Sequence, residues 1–150
     1  LDSEIGLSMI IEVKHTINAP ADKVWATFKS FDYVEKYNPL VQKTEVQGSG
    51  VGATRICYFS QPDGNTGKLS EKIESLDESQ KIISISIADG ILPATNAVVT
   101  VKFNALDGNK TELDFSGTAE PKGISEEDLQ NNFLPVFKMT AEGLEKLHSN

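Results

Sequence analysis

The 150-residue chain is poor in the residues that staple or metallate small domains. It has one cysteine, Cys57, so no internal disulfide is available. Its two histidines, His15 and His148, lie near opposite ends and with Cys57 form no metal-ligand spacing. No loop follows the D-x-[DN]-x-[DN]-G calcium pattern. Basic residues are also few: 14 Lys and Arg against 22 Asp and Glu leave a net charge of −8. An acidic chain without a basic cluster lacks the footprint of a nucleic-acid binder. No apolar run approaches the ~18 residues of a membrane span. The glycine-rich stretch Gly48-Ser49-Gly50-Val51-Gly52 lies between two strand patterns rather than before a helix, so it is no phosphate loop. Neither a metal nor a nucleotide cofactor is expected.

What is present suits one globular domain. Apolar residues make up 39% of the chain and charged residues 24%, enough for a core without staples. Leu1–Ser8 carries neither a basic n-region nor an apolar stretch, so no signal peptide is expected there. Residues 1–8 are expected to be a vector remnant or a frayed extension, with the natural start at Met9 and the domain over 9–150. Asn109-Lys110-Thr111 fits a glycosylation sequon, but such triplets are common by chance, and a reducing, cytoplasmic location is the default.

Met9–Ile17 alternates in part and reads as a strand. Pro20 then opens a helix over about Pro20–Ser30, with Val24, Trp25, Phe28 and Phe31 at helical spacing. A second short helix is expected at Tyr33–Tyr37, ended by Asn38-Pro39. Six strand patterns follow: Val41–Gln47, Ala53–Ser60, Gly67–Leu76, Lys81–Ala88, Thr95–Leu106 and Lys110–Glu120. Asp89-Gly90 and Asp107-Gly108 between alternating runs are hairpin signals, so the strands read as an antiparallel meander. Ser125-Glu126-Glu127-Asp128 opens a closing helix. Its apolar stripe is Phe133, Val136, Phe137, Thr140, Leu144 and Leu147. Pro135 inside that pattern predicts a kink, or a restart near Phe133.

The order and several motifs resemble the START and birch-pollen-allergen superfamily, in its polyketide cyclase/dehydrase-like (SRPBCC) branch. The matching stretches are Ala19-Pro20-Ala21-Asp22-Lys23-Val24-Trp25, Tyr37-Asn38-Pro39, Gly52-Ala53-Thr54-Arg55, Glu71-Lys72-Ile73 with Leu76-Asp77, and Gly143-Leu144-Glu145-Lys146-Leu147. The resemblance implies an α+β helix-grip fold. A curved seven-stranded antiparallel sheet would wrap a long C-terminal helix, with two short helices between strands 1 and 2. It also implies a cavity between sheet and helix for a small hydrophobic or amphipathic molecule. Plant abscisic-acid receptors share this scaffold, and Ser86–Gly90 through Thr95-Asn96 resembles theirs. Asn38 stands where they carry a cavity lysine, Gln61-Pro62-Asp63 where they carry a Gly-Leu-Pro gate, and Ile91-Leu92-Pro93 where they carry a His-Arg-Leu latch. Hormone reception is therefore not implied.

Strand parity then selects the side chains facing the cavity. The resemblance puts Arg55, Cys57 and Phe59 inside, then Leu69, Glu71 and Ile73. Ile83, Ile85 and Ile87 follow, then Ala97, Val99 and Val101. Leu113 and Phe115 come from the last strand, and Phe133, Val136, Phe137 and Thr140 from the helix. The opposite parity on the last strand would turn Asp114 and Ser116 inward. Arg55 and Glu71 are the candidate chemical pair, as a ligand anchor, as anion stabiliser and proton carrier of a cofactor-independent cyclase or dehydratase, or as a structural ion pair. Cys57 lacks a nearby base by sequence and reads as a buried thiol. Trp25 reads as packing, His15 as a core or edge histidine, and Tyr58 as outward-facing. The loops Gln61–Gly67 and Asp89–Asn96 are expected to overhang the mouth as a lid, or to serve only as hairpin turns. An interaction module with a vestigial cavity is the third functional reading. Oligomeric state is open between monomer and homodimer.

Overall fold

The computed structural model describes residues 9–149; the expectation for residues 1–8 lies outside them. Strand β1 (Met9–Ile17) leads into helix α1 (Ala21–Lys29) and a 3-10 turn at Val34–Lys36. Six strands follow: β2 (Val41–Gln47), β3 (Thr54–Ser60), β4 (Thr66–Asp77), β5 (Ile82–Gly90), β6 (Ala94–Asp107) and β7 (Lys110–Pro121). Helix α2 (Glu126–His148) ends the fold. All pairings are antiparallel in the spatial order β1-β7-β6-β5-β4-β3-β2. The curved sheet faces α2, which packs on β1 and β7, while α1 bridges α2 and β6.

Alternation builds the inner face. Ile83 pairs with Val101, Val101 with Phe115 and Phe115 with Val13, so one apolar row crosses four strands. Leu113 and Phe115 are buried, and Asp114 lies on the outer face between Lys14 and Lys102 on the flanking strands. His15 on the edge strand β1 packs its ring edge against Phe115 at 6.1 Å. Trp25 packs on Phe103 at 5.4 Å, and its indole N–H donates to Glu78 Oε1 at 2.9 Å.

Several local expectations need correction. Pro20 is the extended N-cap of α1 rather than its first turn, and the expected helix at Tyr33–Tyr37 is a single 3-10 turn. The short apolar spacing there cannot sustain an α-helix between left-handed Phe31 and Tyr33 and the stop at Pro39. Asp89-Gly90 does not turn the chain; β5 runs through Gly90, and Ile91-Leu92-Pro93 makes the turn. Gly90 has φ +134, and a Cβ there would lie 2.1 Å from the Lys68 carbonyl oxygen. This glycine therefore serves close strand approach, not a hairpin. Helix α2 neither stops nor restarts at Pro135. The missing N–H leaves the Asn131 carbonyl without its helical partner. Leu147 leaves the buried stripe and is 42% exposed. At 3.6 residues per turn the inward position passes to His148, which meets Thr27 Oγ1 at 2.6 Å.

Two glycines set how closely the helix is gripped. Gly117 leaves the space into which Phe137 and Ile11 pack: a Cβ would lie 3.8 Å from Phe137 Cζ and 3.3 Å from Ile11 Cγ2. At Gly143 a Cβ would stand 1.8 Å from the Tyr37 carbonyl oxygen. In an open helix surface Gly→Ala stabilises by ~1 kcal/mol. Gly143→Ala is instead expected to destabilise by ~1–3 kcal/mol, because backbone blocks the new methyl. Urea unfolding measures it, and net stabilisation would contradict the contact.

Candidate functional site

A cavity of about 300 Å³ lies between the inner sheet face and α2. Its wall is mostly apolar. Phe59 and Leu69 come from β3 and β4, Ile85 and Ile87 from β5, Val99 and Val101 from β6, and Phe115 from β7. Helix α2 contributes Phe133, Val136, Phe137 and Thr140. Exposed Leu40 and Ile91 also line it, so the cavity reaches the surface between the β2 start and the β5–β6 turn.

Arg55 and Glu71 stand directly opposite each other in the β3–β4 ladder. Arg55 Nε donates to Glu71 Oε1 at 2.7 Å, with the two side chains only 7% and 13% exposed. Arg55 Nη1 donates to the Phe31 carbonyl at 3.2 Å, and its Cζ sits 4.0 Å from the Phe31 ring centroid. Phe31 is fully buried at φ 70, a left-handed conformation that costs a bulky side chain energy. The guanidinium covers its ring and binds its carbonyl. Burial alone would lower the Arg55 pKa, but the Glu71 carboxylate, with Tyr37 and Cys57, more than reverses this, so it rises. The cation is therefore permanent.

Cys57 sits on β3 with its thiol 3.8 Å from Glu71 Oε1. Burial pushes it up to about 12, against a smaller opposing pull from Arg55. It is a thiol, not a thiolate, at neutral pH. Tyr37 reaches the cavity wall from the end of the 3-10 turn. It is buried against Phe28, and its Oη finds no hydrogen-bond acceptor. Burial raises its pKa to about 12, offset in part by Arg55. Asn38 also lines the cavity, its Oδ1 accepting from Leu40 N at 3.0 Å.

The structure brings to the cavity Arg55, Cys57, Phe59, Glu71, Ile85, Ile87, Val99, Val101, Phe115, Phe133, Val136, Phe137 and Thr140. Ile73 is not among them. It is fully buried under the Gly48–Ala53 turn, its backbone N–H bonded to the Ala53 carbonyl, so the sheet closes over it before the cavity begins. Tyr58 faces outward and donates to Glu45 at 2.7 Å. The Gln61–Gly67 loop contributes no lining residue. It braces the other loop instead: a Cβ on Gly67 would meet Ile91 Cγ2 at 2.8 Å and Gln61 Nε2 at 2.9 Å. Sequence parity missed Phe28, Val34, Asn132 and the mouth residues Leu40, Leu92 and Pro93, which come from helices and turns without alternation. Among the described residues, no group of three or more His, Cys, Asp or Glu side chains is placed to hold a metal. No helix among them is long and apolar enough to cross a membrane.

Comparison with known proteins assigns this architecture. Ginseng major latex-like protein 151 from Panax ginseng superposes with a TM-score of 0.82 at 20% identity, covering 97% of this chain and 100% of that one. The Bacillus cereus protein XoxI superposes at 0.78 and 19% identity, covering 93% and 95% of the two chains. These likenesses concern the fold alone. In sequence, the abscisic acid receptor PYL10 of Arabidopsis thaliana is 30% identical over 104 residues, 67% of this chain and 56% of the receptor. The receptor PYL7 is 30% identical over 95 residues, 61% and 44% of the two. The chain thus spans about half the length of these curated relatives. A family model described as polyketide cyclase / dehydrase and lipid transport matches residues 9–148, and with the helix-grip fold in place the chain belongs to that family.

Proposed function

We propose that the protein binds or carries a small, largely apolar molecule in the cavity between sheet and helix. The observation carrying this reading is the cavity itself: about 300 Å³ of space, walled by aliphatic and aromatic side chains, with one internally paired charge cluster. That volume is at the lower end for small-molecule pockets, and a solid core would leave no such space. Lipid-, polyketide- or isoprenoid-like skeletons of modest size fit this chemistry. The wall residues from Arg55 to Thr140 named above are the proposed ligand contacts. A buried, reduced Cys57 and the lack of other cysteines suit a cytoplasmic compartment.

The cyclase/dehydratase alternative gives Glu71 the proton and Arg55 the developing anion. One observation favours it: a carboxylate and a permanent cation share one wall. Carriage is the stronger reading because Glu71 Oε1 is already held by Arg55, and the Cys57 thiol beside it is no base.

The neutral fluorophore N-phenyl-1-naphthylamine tests the binding reading. It is expected to bind with a stoichiometry near one. Val99→Trp, which fills the cavity, is expected to weaken binding by about tenfold or more while leaving unfolding cooperative. Equal binding to a folded Val99→Trp protein would place the dye elsewhere. Native mass spectrometry of freshly expressed protein should show a small-molecule adduct that the same variant loses. The enzymatic alternative predicts that Glu71→Gln abolishes turnover of an enolisable aromatic polyketide.

Cys57 supplies an independent probe. With its thiol pushed to about 12, iodoacetamide labelling at pH 8 should run ~100-fold or more below a free thiol. Bound dye should slow it further. The same raised value predicts lost stability as pH climbs above the unfolded thiol's range toward 12, because only the unfolded chain then releases the proton. Labelling at the free-thiol rate would contradict the burial.

A further inference from the structure

The polar groups of the cavity carry a charge pattern that bears on which ligands fit. Among the described lining residues, Arg55 is the one cation and Glu71 the one anion. They are bonded to each other, so the wall is neutral overall. Arg55 is further committed to the Phe31 carbonyl and the Phe31 ring. A ligand carboxylate would set a second anion on one guanidinium in an apolar wall, leaving one negative charge uncompensated. Asn38, just after the 3-10 turn and also on the wall, offers an amide and no charge.

One group, by contrast, lacks an acceptor for its proton. Tyr37 is 3% exposed, and its Oη finds no acceptor; the nearby Arg55 guanidinium can only donate to it. Its hydroxyl end lies within the field of Arg55, Cys57 and Glu71, all on the cavity wall. An unsatisfied buried hydroxyl costs ~1–3 kcal/mol, a penalty that a ligand acceptor at that point would relieve. The site thus offers an apolar slot, a neutral charge balance and one waiting hydroxyl donor.

We propose that the cavity selects uncharged, acceptor-bearing apolar molecules of the ring-ketone or quinone type, with Tyr37 Oη donating to the carbonyl, over carboxylates of the same skeleton. This rests on the ligand-binding reading above and sharpens it to a ligand class. Specificity of this kind follows from the penalty on unpaired groups: a site built to hydrogen-bond one atom discriminates against ligands lacking it.

Displacement of N-phenyl-1-naphthylamine by three matched naphthalenes provides the test at pH 7.5. 2-Acetonaphthone carries the acceptor, 2-ethylnaphthalene lacks it, and 2-naphthoate replaces it with a charge. Wild-type protein is expected to bind the ketone about tenfold or more tighter than the carboxylate. Tyr37→Phe is expected to lose about fivefold or more for the ketone and nothing for 2-ethylnaphthalene or the dye. Removing a hydroxyl whose proton has no acceptor should shift the melting temperature little, so this variant stays informative. Glu71→Gln, if folded, should improve 2-naphthoate binding about tenfold by freeing the guanidinium charge. Equal or tighter wild-type binding of 2-naphthoate overturns the proposal, as does an equal Tyr37→Phe effect on ketone and hydrocarbon. Failure of the dye to bind at all would overturn the cavity-binding reading, a separate and recognisable result.

Discussion

Arg55 and Glu71 place two opposite charges in a wall otherwise made of carbon, and the geometry around the cavity follows from keeping them paired. Taking either charge out of water costs several kcal/mol, which only a close partner and filled donor positions offset. The β3–β4 register supplies the partner by setting the two residues face to face. The Phe31 carbonyl and ring supply the rest. That second contact reaches beyond the sheet. It pins the link between α1 and the 3-10 turn, holding Phe31 in a left-handed conformation that an isolated phenylalanine seldom adopts. Tyr37 and Asn38 follow six and seven residues later and are delivered to the same cavity.

The cavity is the space left by a controlled approach of helix to sheet. Gly143 lets α2 touch the backbone of Tyr37, and Gly117 lets Phe137 settle against β7. Phe137 then stacks on Phe115 at 4.8 Å, and Phe133 leans on Phe137 at 5.7 Å. Beyond this aromatic contact the sheet curves away, and Ile85, Ile87 and Val99 face space rather than side chains of α2. The hollow therefore has an aromatic floor and an open mouth. At the mouth, Ile91 packs over Gly67 and Gln61, so one loop forms the rim and the other supports it.

Much of this was legible in the sequence because strands reveal their faces by alternation. The inward placement of Arg55 and Glu71 came from the family resemblance combined with alternation, and of the two parities left open for the last strand the structure has Leu113 and Phe115 buried. The legibility failed where periodicity ends. Asp89-Gly90 looked like a turn because the dipeptide usually is one; the glycine is instead required by the Lys68 carbonyl pressing on it. Ile73 carried the right parity but lies where the Gly48–Ala53 turn closes the sheet, a distance along the strand that parity does not encode. Tyr37 is the cavity residue whose role the sequence marks least. No pattern marks a hydroxyl that lacks an acceptor, since that is a property of everything around it. Leu147 fell off its stripe because a 3.6-residue helix drifts, and His148 had a hydroxyl to meet.

A net charge of −8 spread over turns, helix starts and the outer face speaks mainly to solubility, while the one pair buried in the wall organises the site. A double-mutant cycle with Arg55→Met, Glu71→Leu and the double variant, followed by urea unfolding, tests that claim most directly. Each single change should cost ~3–5 kcal/mol by stranding the other charge. The double variant should lose less than the sum by ~2 kcal/mol or more. Losses that add to within ~0.5 kcal/mol would mean the two charges stand independently, and the account built on their pairing would be wrong.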